Sequence, residues 1–308
     1  MIMTFGEFWN KFITQKKLVV KETTLCVYAL IWEKHLKDAF SDVEIESVKN
    51  STVQNYINES LLNGRNLKTL QDEVTLLKNI MKNYAIAEDK PYIAPLVVYP
   101  SKSKAGGEKH REKFTDAEIK KLVDYCRESP VHWHKAVALT CLTGARIGEV
   151  CGLQFSDFDF SKNTIHIQRT VGRLYLAPKS SRLYVNPTKT VSSNRIVPIP
   201  RWIAQYYKKY QELFSYSDED YITCSSKKPF VEPRTLRSKF IKLCKDLGIE
   251  YKSYHSLRHS YASRLLLAGV DVRTAAELLG HSDVAMTLNV YSHSDESKKM
   301  AAAKKIFV

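Results

Sequence analysis

Two segments of the sequence place arginine side chains where they could hold a phosphate group. In TGARIGEV, residues 143–150, a glycine turn leads into a predicted helix, and Arg146 lies in its first turns. The planar guanidinium of an arginine binds two phosphate oxygens at once. Glu149 follows three residues later on the same helical face, so an ordinary surface ion pair is the better explanation when this segment is read alone.

The second segment, YHSLRH at residues 254–259, brings a histidine and an arginine to one face of a predicted helix. His255 and Arg258 are three residues apart, so both side chains can face one phosphate. By itself such a pair is more often structural.

A third segment supplies a possible nucleophile. The run LLGHS at residues 278–282 ends a helix at Gly280, and His281 follows at once. The next predicted helix carries Tyr291. A tyrosine hydroxyl has a pKa near 10, so it attacks phosphorus only when it is positioned and deprotonated. Taken alone, Tyr291 is one of 17 tyrosines, and simple packing explains it better.

Together these segments closely resemble the tyrosine recombinase (phage integrase) family. The resemblance rests on the order of Arg146, His255, Arg258, His281 and Tyr291, and on the runs HSLRHSYASRLL and LLGHSDVAMTLNVYSH. It covers nearly the whole chain. The ten-residue spacing from histidine to tyrosine is typical of integrases of conjugative transposons and phages, whereas in Xer recombinases it is usually one shorter. Many such integrases carry an additional amino-terminal arm-binding domain, which we expect to be absent here.

The resemblance implies a chemistry that these side chains could perform. Tyr291 would attack a DNA phosphodiester, and Arg146 and Arg258 would stabilise the charge that builds on the non-bridging oxygens. His281 would donate a further hydrogen bond, and His255 would assist proton removal from the tyrosine. The product is a 3′-phosphotyrosyl bond and a free 5′ hydroxyl. Because the bond energy is kept in that link, neither ATP nor a metal is required, and no cofactor is expected.

The general acid of the family is a lysine in a β-hairpin. We place that hairpin at NPTKTVSSNRIVPIP, residues 186–200, which makes Lys189 the candidate and Lys179 the alternative. Lys189 fits better because a strand-like run, RIVPIP, follows a short turn at residues 192–194. It would protonate the departing 5′ oxygen. Glu149 resembles the acidic residue of the family's first motif, which orients its neighbours.

The net charge of the chain indicates the class of molecule that it binds. The chain carries a formal net charge of +14, which attracts a polyanion. The basic residues do not gather on one amphipathic helix, which weakens the membrane alternative and favours double-stranded DNA. The family further implies a homotetramer on DNA, with the tail at residues 298–308 docking on the next subunit, and accessory DNA-bending proteins. A frayed terminus is an equal alternative for that tail.

The pattern of elements predicts a mainly α fold with a small antiparallel β-sheet. Helical periodicity and caps give four helices at residues 1–98, a small helical core-binding domain. Residues 99–113 are basic and aperiodic and are interpreted as an interdomain linker, with contact along DNA as an equal alternative to a linker alone. Residues 114–308 form an α+β catalytic domain that opens with a capping box at Thr115 and Glu118 and a hydrophobic staple between Phe114 and Ile119.

The sequence leaves several hypotheses about function. The first is site-specific recombination that integrates, excises or inverts a DNA element. The alternatives are Xer-like dimer resolution, type IB topoisomerase-like nicking and closing, and a non-catalytic DNA-binding protein of the same fold. The six cysteines form no CxxC pair, so free buried thiols are expected. No signal peptide or membrane span is apparent, and a cytoplasmic location is expected.

Overall fold

A computed structural model describes residues 3–101, 112–177, 180–188, 191–224, 229–285 and 288. The chain divides into two compact units. The first comprises Met1–Lys109 with Arg173–Arg182, and the second comprises His110–Gly172 with Leu183–Val308. Within the described residues, no helix is both long and apolar enough to cross a bilayer. The expected mainly helical fold with small antiparallel sheets is confirmed.

The first unit is built from helices that enclose an aromatic core. Thr4 accepts from the backbone N–H of Glu7, whose carboxylate accepts from the N–H of Thr4, so the first helix begins at a capping box. The rings of Trp9 and Trp32 stack with their centroids 4.7 Å apart. The helices are α1 (Phe5–Lys16), α2 (Glu22–Ile31), a π-helix (Trp32–Leu36), α3 (Lys37–Phe40), a 3₁₀ turn (Ile45–Ser47), α4 (Asn50–Leu62) and α5 (Leu67–Ala87).

The second unit begins with helices that bury their apolar faces in one core. The predicted capping box of Thr115 and Glu118 is confirmed, and both Phe114 and Ile119 are buried in that core. The first helices are α6 (Asp116–Glu128), α7 (His132–Thr143) and α8 (Ile147–Cys151). After the strands come α9 (Arg201–Phe214), α10 (Pro233–Asp246), α11 (Tyr254–Leu267) and α12 (Val272–Leu279). The six cysteines are free thiols, five of them buried.

The strands form two small sheets rather than one. They are β1 (Phe158–Asp159), β2 (Thr164–Ile167), β3 (Arg169–Ala177), β4 (Ser180–Pro187) and β5 (Arg195–Pro198). Strand β2 pairs antiparallel with β1 on one side and with β5 on the other, where Ile165 lies opposite Val197. Strands β3 and β4 make the second sheet.

The prediction of a hairpin at residues 186–200 is therefore wrong. Strand β4 pairs with β3 and strand β5 pairs with β2, so the two strands that flank Lys189 belong to different sheets. The alternation of apolar residues identifies which face of β5 is buried, but it carries no information about which strand lies beside it. The inward side of β5 meets Ile167 and Ile165 of β2, which completes the buried face of the three-stranded sheet.

Candidate active site

Arg146 lies at the junction of two helices. Gly144 ends α7 in the left-handed conformation, with φ of 64°, and Arg146 is the residue that immediately precedes α8. Its side-chain Nη1 donates to Glu149 Oε1 at 2.7 Å, and its backbone N–H donates to Glu149 Oε2 at 2.8 Å. The predicted i,i+3 pair thus exists, but Glu149 is buried rather than on the surface.

Arg258 and His255 lie on the first turns of α11, as their spacing predicted. Arg258 is buried, and its Nη1 donates to the carbonyl of Gly144 at 2.9 Å. Its buried Nη2 has no hydrogen-bond partner within the described part of the chain. Burial, followed by the charge of Arg146, lowers the pKa of Arg258 to about 9, so the guanidinium stays charged at neutral pH. His255 is exposed, and its ring packs edge-on against that of His259 at 4.7 Å.

A surface cleft brings these side chains together. Its volume is about 450 Å³, large enough for a phosphodiester and the sugars beside it. The cleft is lined by Ala145, Arg146, Ile147, Arg237, Tyr251, Ser253, Tyr254, His255 and Arg258. Arg146, His255 and Arg258 were predicted from the sequence, and all three border this cleft. Arg237 of α10 was not singled out, because its surroundings in the sequence contain no motif.

His281 follows the end of α12. Gly280 ends this helix in the left-handed conformation, with φ of 66°, and the N–H of His281 donates to the carbonyl of Ala276 at 3.0 Å. Arg146 Nη2 donates to the carbonyl of Gly280 at 3.3 Å, so the predicted Arg146 and His281 segments meet. Burial, and then the charges of Arg258 and Arg146, lowers the pKa of His281 to about 4. The imidazole is therefore neutral at pH 7, a state that still donates one hydrogen bond.

Sequence reasoning missed Arg195. It is buried on β5, and its Nη2 donates to Glu149 Oε2 at 3.0 Å. The carboxylate of Glu149 thus lies between two guanidinium groups. Burial raises the pKa of Glu149, but Arg195 and then Arg146 outweigh that effect and the net shift is downward. The available signal was an arginine at an inward position of an alternating strand, since a buried charge requires a partner.

Three of the predicted residues fall outside the described residues. They are Lys179, Lys189 and Tyr291. Their nearest described neighbours are Ala177 and Ser180, Thr188 and Val191, and Leu288.

The described part of the site carries more positive than negative charge. The guanidinium groups of Arg146 and Arg195 bind the single carboxylate of Glu149, and Arg258 interacts with it electrostatically. Because these cations outnumber the buried carboxylate, the site favours a bound anion. Within the described residues, no three His, Cys, Asp or Glu side chains cluster as metal ligands.

Family models and related proteins both match this chain to recombinases and integrases. A model described as the phage integrase family matches residues 112–298, and one described as the phage integrase N-terminal SAM-like domain matches residues 4–61. A tyrosine recombinase XerC-like protein of Caldanaerobacter subterraneus subsp. tengcongensis is 26% identical over 99% of this chain and 83% of its own length. The ICEBs1 integrase of Bacillus subtilis is 25% identical over 90% of this chain and 75% of its own length.

A solved structure has the same fold. The Tn1549 transposon integrase in complex with transposon right end DNA matches with a TM-score of 0.80 at 21% sequence identity. The match covers 99% of this chain and 100% of that one.

Proposed function

The chain belongs to the phage integrase family, and from that premise we propose that Tyr291 is the nucleophile and that the cleft lined by Arg146, His255 and Arg258 holds the scissile phosphate. The resemblance drawn from the sequence is confirmed. The chain is a tyrosine recombinase, a site-specific enzyme that cleaves and rejoins DNA strands. The proposal concerns which of its residues perform the reaction and on what.

The observation that carries the proposal is the excess of guanidinium groups at the cleft. Arg146 and Arg258 both border it, and Arg258 has one buried nitrogen without a partner among the described residues. A phosphodiester carries a charge that becomes more negative as the nucleophile attacks. Donors fixed before the reaction stabilise that charge without reorganisation, and this stabilisation is usually the largest contribution to catalysis.

Each residue has a defined part in the proposed step. The hydroxyl oxygen of Tyr291 bonds to phosphorus, and the bond from phosphorus to the 5′ oxygen breaks. His255 accepts the tyrosine proton, and Lys189 donates a proton to the 5′ oxygen. His281 donates a hydrogen bond to a non-bridging oxygen, as a neutral imidazole can. Reversal with another strand restores the tyrosine and the phosphodiester.

The proposed substrate is double-stranded DNA, and the proposed assembly is a tetramer. The net charge of +14 supports binding to many phosphate groups along a DNA duplex. Solved relatives include a lambda integrase dimer bound to a core site and a tetramer bound to a Holliday junction. We assign DNA core binding to residues 1–98, linkage to 99–113 and catalysis to 114–308, with the tail at 298–308 docking on the next subunit. A cytoplasmic location follows from this substrate.

Integration and excision of a DNA element is the outcome that the relatives favour. They include the ICEBs1 integrase and the transposase from transposon Tn916. Dimer resolution is the second candidate, supported by the XerC-like relative. The two differ in product: excision releases a circular element, whereas dimer resolution separates two copies of one replicon.

The proposal is tested by trapping the covalent intermediate. Purified protein is incubated with genomic DNA of its source organism, and SDS-resistant protein–DNA adducts are isolated and sequenced. The wild type should give adducts at discrete sites, and Tyr291→Phe should bind DNA without forming any. Tyr125→Phe changes an exposed tyrosine on α6 and should form adducts at the wild-type rate. Adducts formed by Tyr291→Phe would overturn the assignment.

A further experiment tests the general acid. A substrate built on the mapped site carries sulfur in place of the 5′ bridging oxygen. Lys189→Ala should cleave ordinary DNA slowly and the sulfur substrate at the wild-type rate, because sulfur leaves without protonation. If only Lys179→Ala shows this rescue, the role belongs to Lys179.

A further inference from the structure

Arg195 is a charged residue at an inward-facing position of β5, where an apolar side chain is usual. Along β5 the side chains of Arg195 and Val197 are buried, whereas those of Ile196 and Pro198 are exposed. Only 8% of the surface of Arg195 remains accessible. A guanidinium removed from water is costly unless its N–H groups find acceptors, so its contacts define why it is there.

The contacts of Arg195 reach three separate parts of the second unit. Nη2 and Nη1 donate to the two carboxylate oxygens of Glu149, at 3.0 and 3.4 Å. Nε donates to the carbonyl of Leu278 at 2.7 Å, in the last turn of α12. Nη1 also donates to the carbonyl of Ser193 at 3.1 Å. One side chain therefore connects α8, the end of α12 and the segment that leads into β5.

Two of these parts lead directly to a described residue of the proposed reaction. Glu149 binds Arg146, and Leu278 lies three residues before His281. We propose that Arg195 is a positioning residue that holds Arg146 and His281 in one geometry around the phosphate. This inference rests on the proposed function.

Charge balance gives Arg195 a second effect. If Arg146 were the only partner of Glu149, the carboxylate would neutralise it and draw its guanidinium away from the cleft. With Arg195 on the other side, the negative charge is shared between two guanidinium groups, and Arg146 keeps part of its charge for the substrate.

Gly280 makes the close approach of α12 to Arg195 possible. A Cβ atom added at Gly280 would lie 2.8 Å from Arg195 Nη1 and 3.0 Å from the carbonyl oxygen of Ser192. The glycine is thus needed both for the left-handed helix end and for the space that Arg195 fills. The same point of the fold carries the segment before His281.

The test compares single-turnover formation of the covalent adduct at saturating DNA. Arg195→Met keeps much of the length of the side chain but removes its charge and its donors. We expect adduct formation to slow about 100-fold, with little change in the DNA concentration that gives half-saturation. In the double variant Arg195→Met/Glu149→Gln, the carboxylate that would otherwise neutralise Arg146 is gone, so the rate should recover at least about tenfold relative to Arg195→Met.

A matched arginine in the same unit controls for lost stability. Arg169 forms an ion pair with Asp157 at 2.6 Å on another part of the sheet region. Arg169→Met should lower the thermal unfolding temperature, but the folded protein should cleave within about threefold of the wild-type rate. A purely structural role for Arg195 predicts that its variant behaves in the same way.

The outcomes separate the two proposals. Cleavage by Arg195→Met at the wild-type rate overturns the positioning role, and a double variant no faster than the single one overturns the charge-sharing effect; both leave the nucleophile assignment intact. Adducts formed by Tyr291→Phe overturn the proposed function itself. If Arg195→Met does not fold, Arg195→Lys replaces it, because lysine keeps the charge but loses the three-way contact. This variant should form the covalent adduct about tenfold more slowly than the wild type. Cleavage by Arg195→Lys at the wild-type rate would also overturn the inference.

Discussion

Among the described residues, each unit of the molecule buries one glutamate almost completely, and the two glutamates have different surroundings. In the first unit, Glu73 of α5 accepts from the hydroxyl of Tyr56 at 2.6 Å and from Nη1 of Arg65 at 3.2 Å. His35 of the π-helix faces its other oxygen at 3.6 Å. The side chains of Arg65 and His35 are 32% and 28% exposed, so both reach water.

Glu149 has a different balance of charges. Its two oxygens accept from Arg146 and Arg195, and the charge of Arg258, which borders the cleft together with Arg146, also acts on it. Glu73 has one guanidinium and one imidazole as its neighbours. A buried carboxylate with an arginine therefore does not identify an active site. The distinguishing features are an excess of cations and an opening to the surface.

The largest expected difference between the two glutamates is in stability. Glu149→Ala leaves Arg146 and the buried Arg195 without a counterion, a loss that typically costs about 3–5 kcal/mol. Glu73→Ala leaves Arg65 and His35 able to reach solvent and should cost about 1–3 kcal/mol. Hydrogen exchange, followed separately in peptides of α5 and of α7, gives the free energy of opening of each unit. Equal losses in the two variants would contradict this interpretation.

The second expected difference is in chemistry. Arg258→Met removes a buried donor that faces the cleft, and adduct formation should slow about 100- to 1,000-fold. Arg65→Met removes the arginine beside Glu73 and should leave the rate at saturating DNA within about threefold of the wild type. Single-turnover assays on the mapped site measure both. A comparable slowing by Arg65→Met would show that the first unit takes part in catalysis beyond binding.

Local signals in the sequence predicted most helices. The capping box at Thr115 and the glycine end at Gly280 lie where expected. Caps and periodicity act within a few residues, so they can be read directly from the chain.

What the sequence could not supply was long-range pairing. TIHIQRTV, residues 164–171, reads as one alternating strand, yet it divides at Gln168 between β2 and β3 of different sheets. Gln168 donates its side-chain amide to Asp157 at 2.7 Å, a contact with no signal in the local pattern. Arg195 was missed for the same reason, because its partners lie 46 and 83 residues away.

The third prediction concerns pH and again contrasts the two units. His35 faces a carboxylate, whereas His281 lies among arginines. Because the pKa of His281 is lowered to about 4, this side chain stays neutral between pH 5.5 and 8. Its titration should therefore leave no inflection in the rate of adduct formation over that range. An inflection near pH 6.5 in the wild type that is lost in His281→Gln would contradict this expectation.

The lowered pKa of His281 also affects the free energy of unfolding. A histidine whose pKa falls from about 6.5 to about 4 on folding binds fewer protons when folded, so unfolding is favoured as the pH falls from 6.5 towards 4. Burial shifts His132 and His134 of the second unit in the same direction. For the half-buried His281, the loss should be about 1 kcal/mol after solvent screening. Denaturant unfolding at pH 7 and 5, in the wild type and His281→Gln, should show a smaller pH dependence in the variant.

The smallest effects concern a motif found in both units, the capping box of a threonine and a glutamate. Thr4 accepts from the N–H of Glu7 at 3.3 Å, and Thr115 accepts from the N–H of Glu118 at 3.2 Å. In each case replacement of threonine by alanine removes the same hydrogen bond, so Thr4→Ala and Thr115→Ala should each cost about 1 kcal/mol. Thr→Ser at either position keeps the acceptor and should cost less.

These matched changes test whether stability is local to each unit. Thr4→Ala should raise hydrogen exchange in α1 and α5 without altering α6 and α7, and Thr115→Ala should do the reverse, because each cap closes a helix in a separate core. Neither should alter adduct formation at saturating DNA. If Thr4→Ala loosened α7 or slowed cleavage more than about threefold, the first unit would be energetically coupled to the site around Glu149, and the contrast between the two buried glutamates would be one of degree.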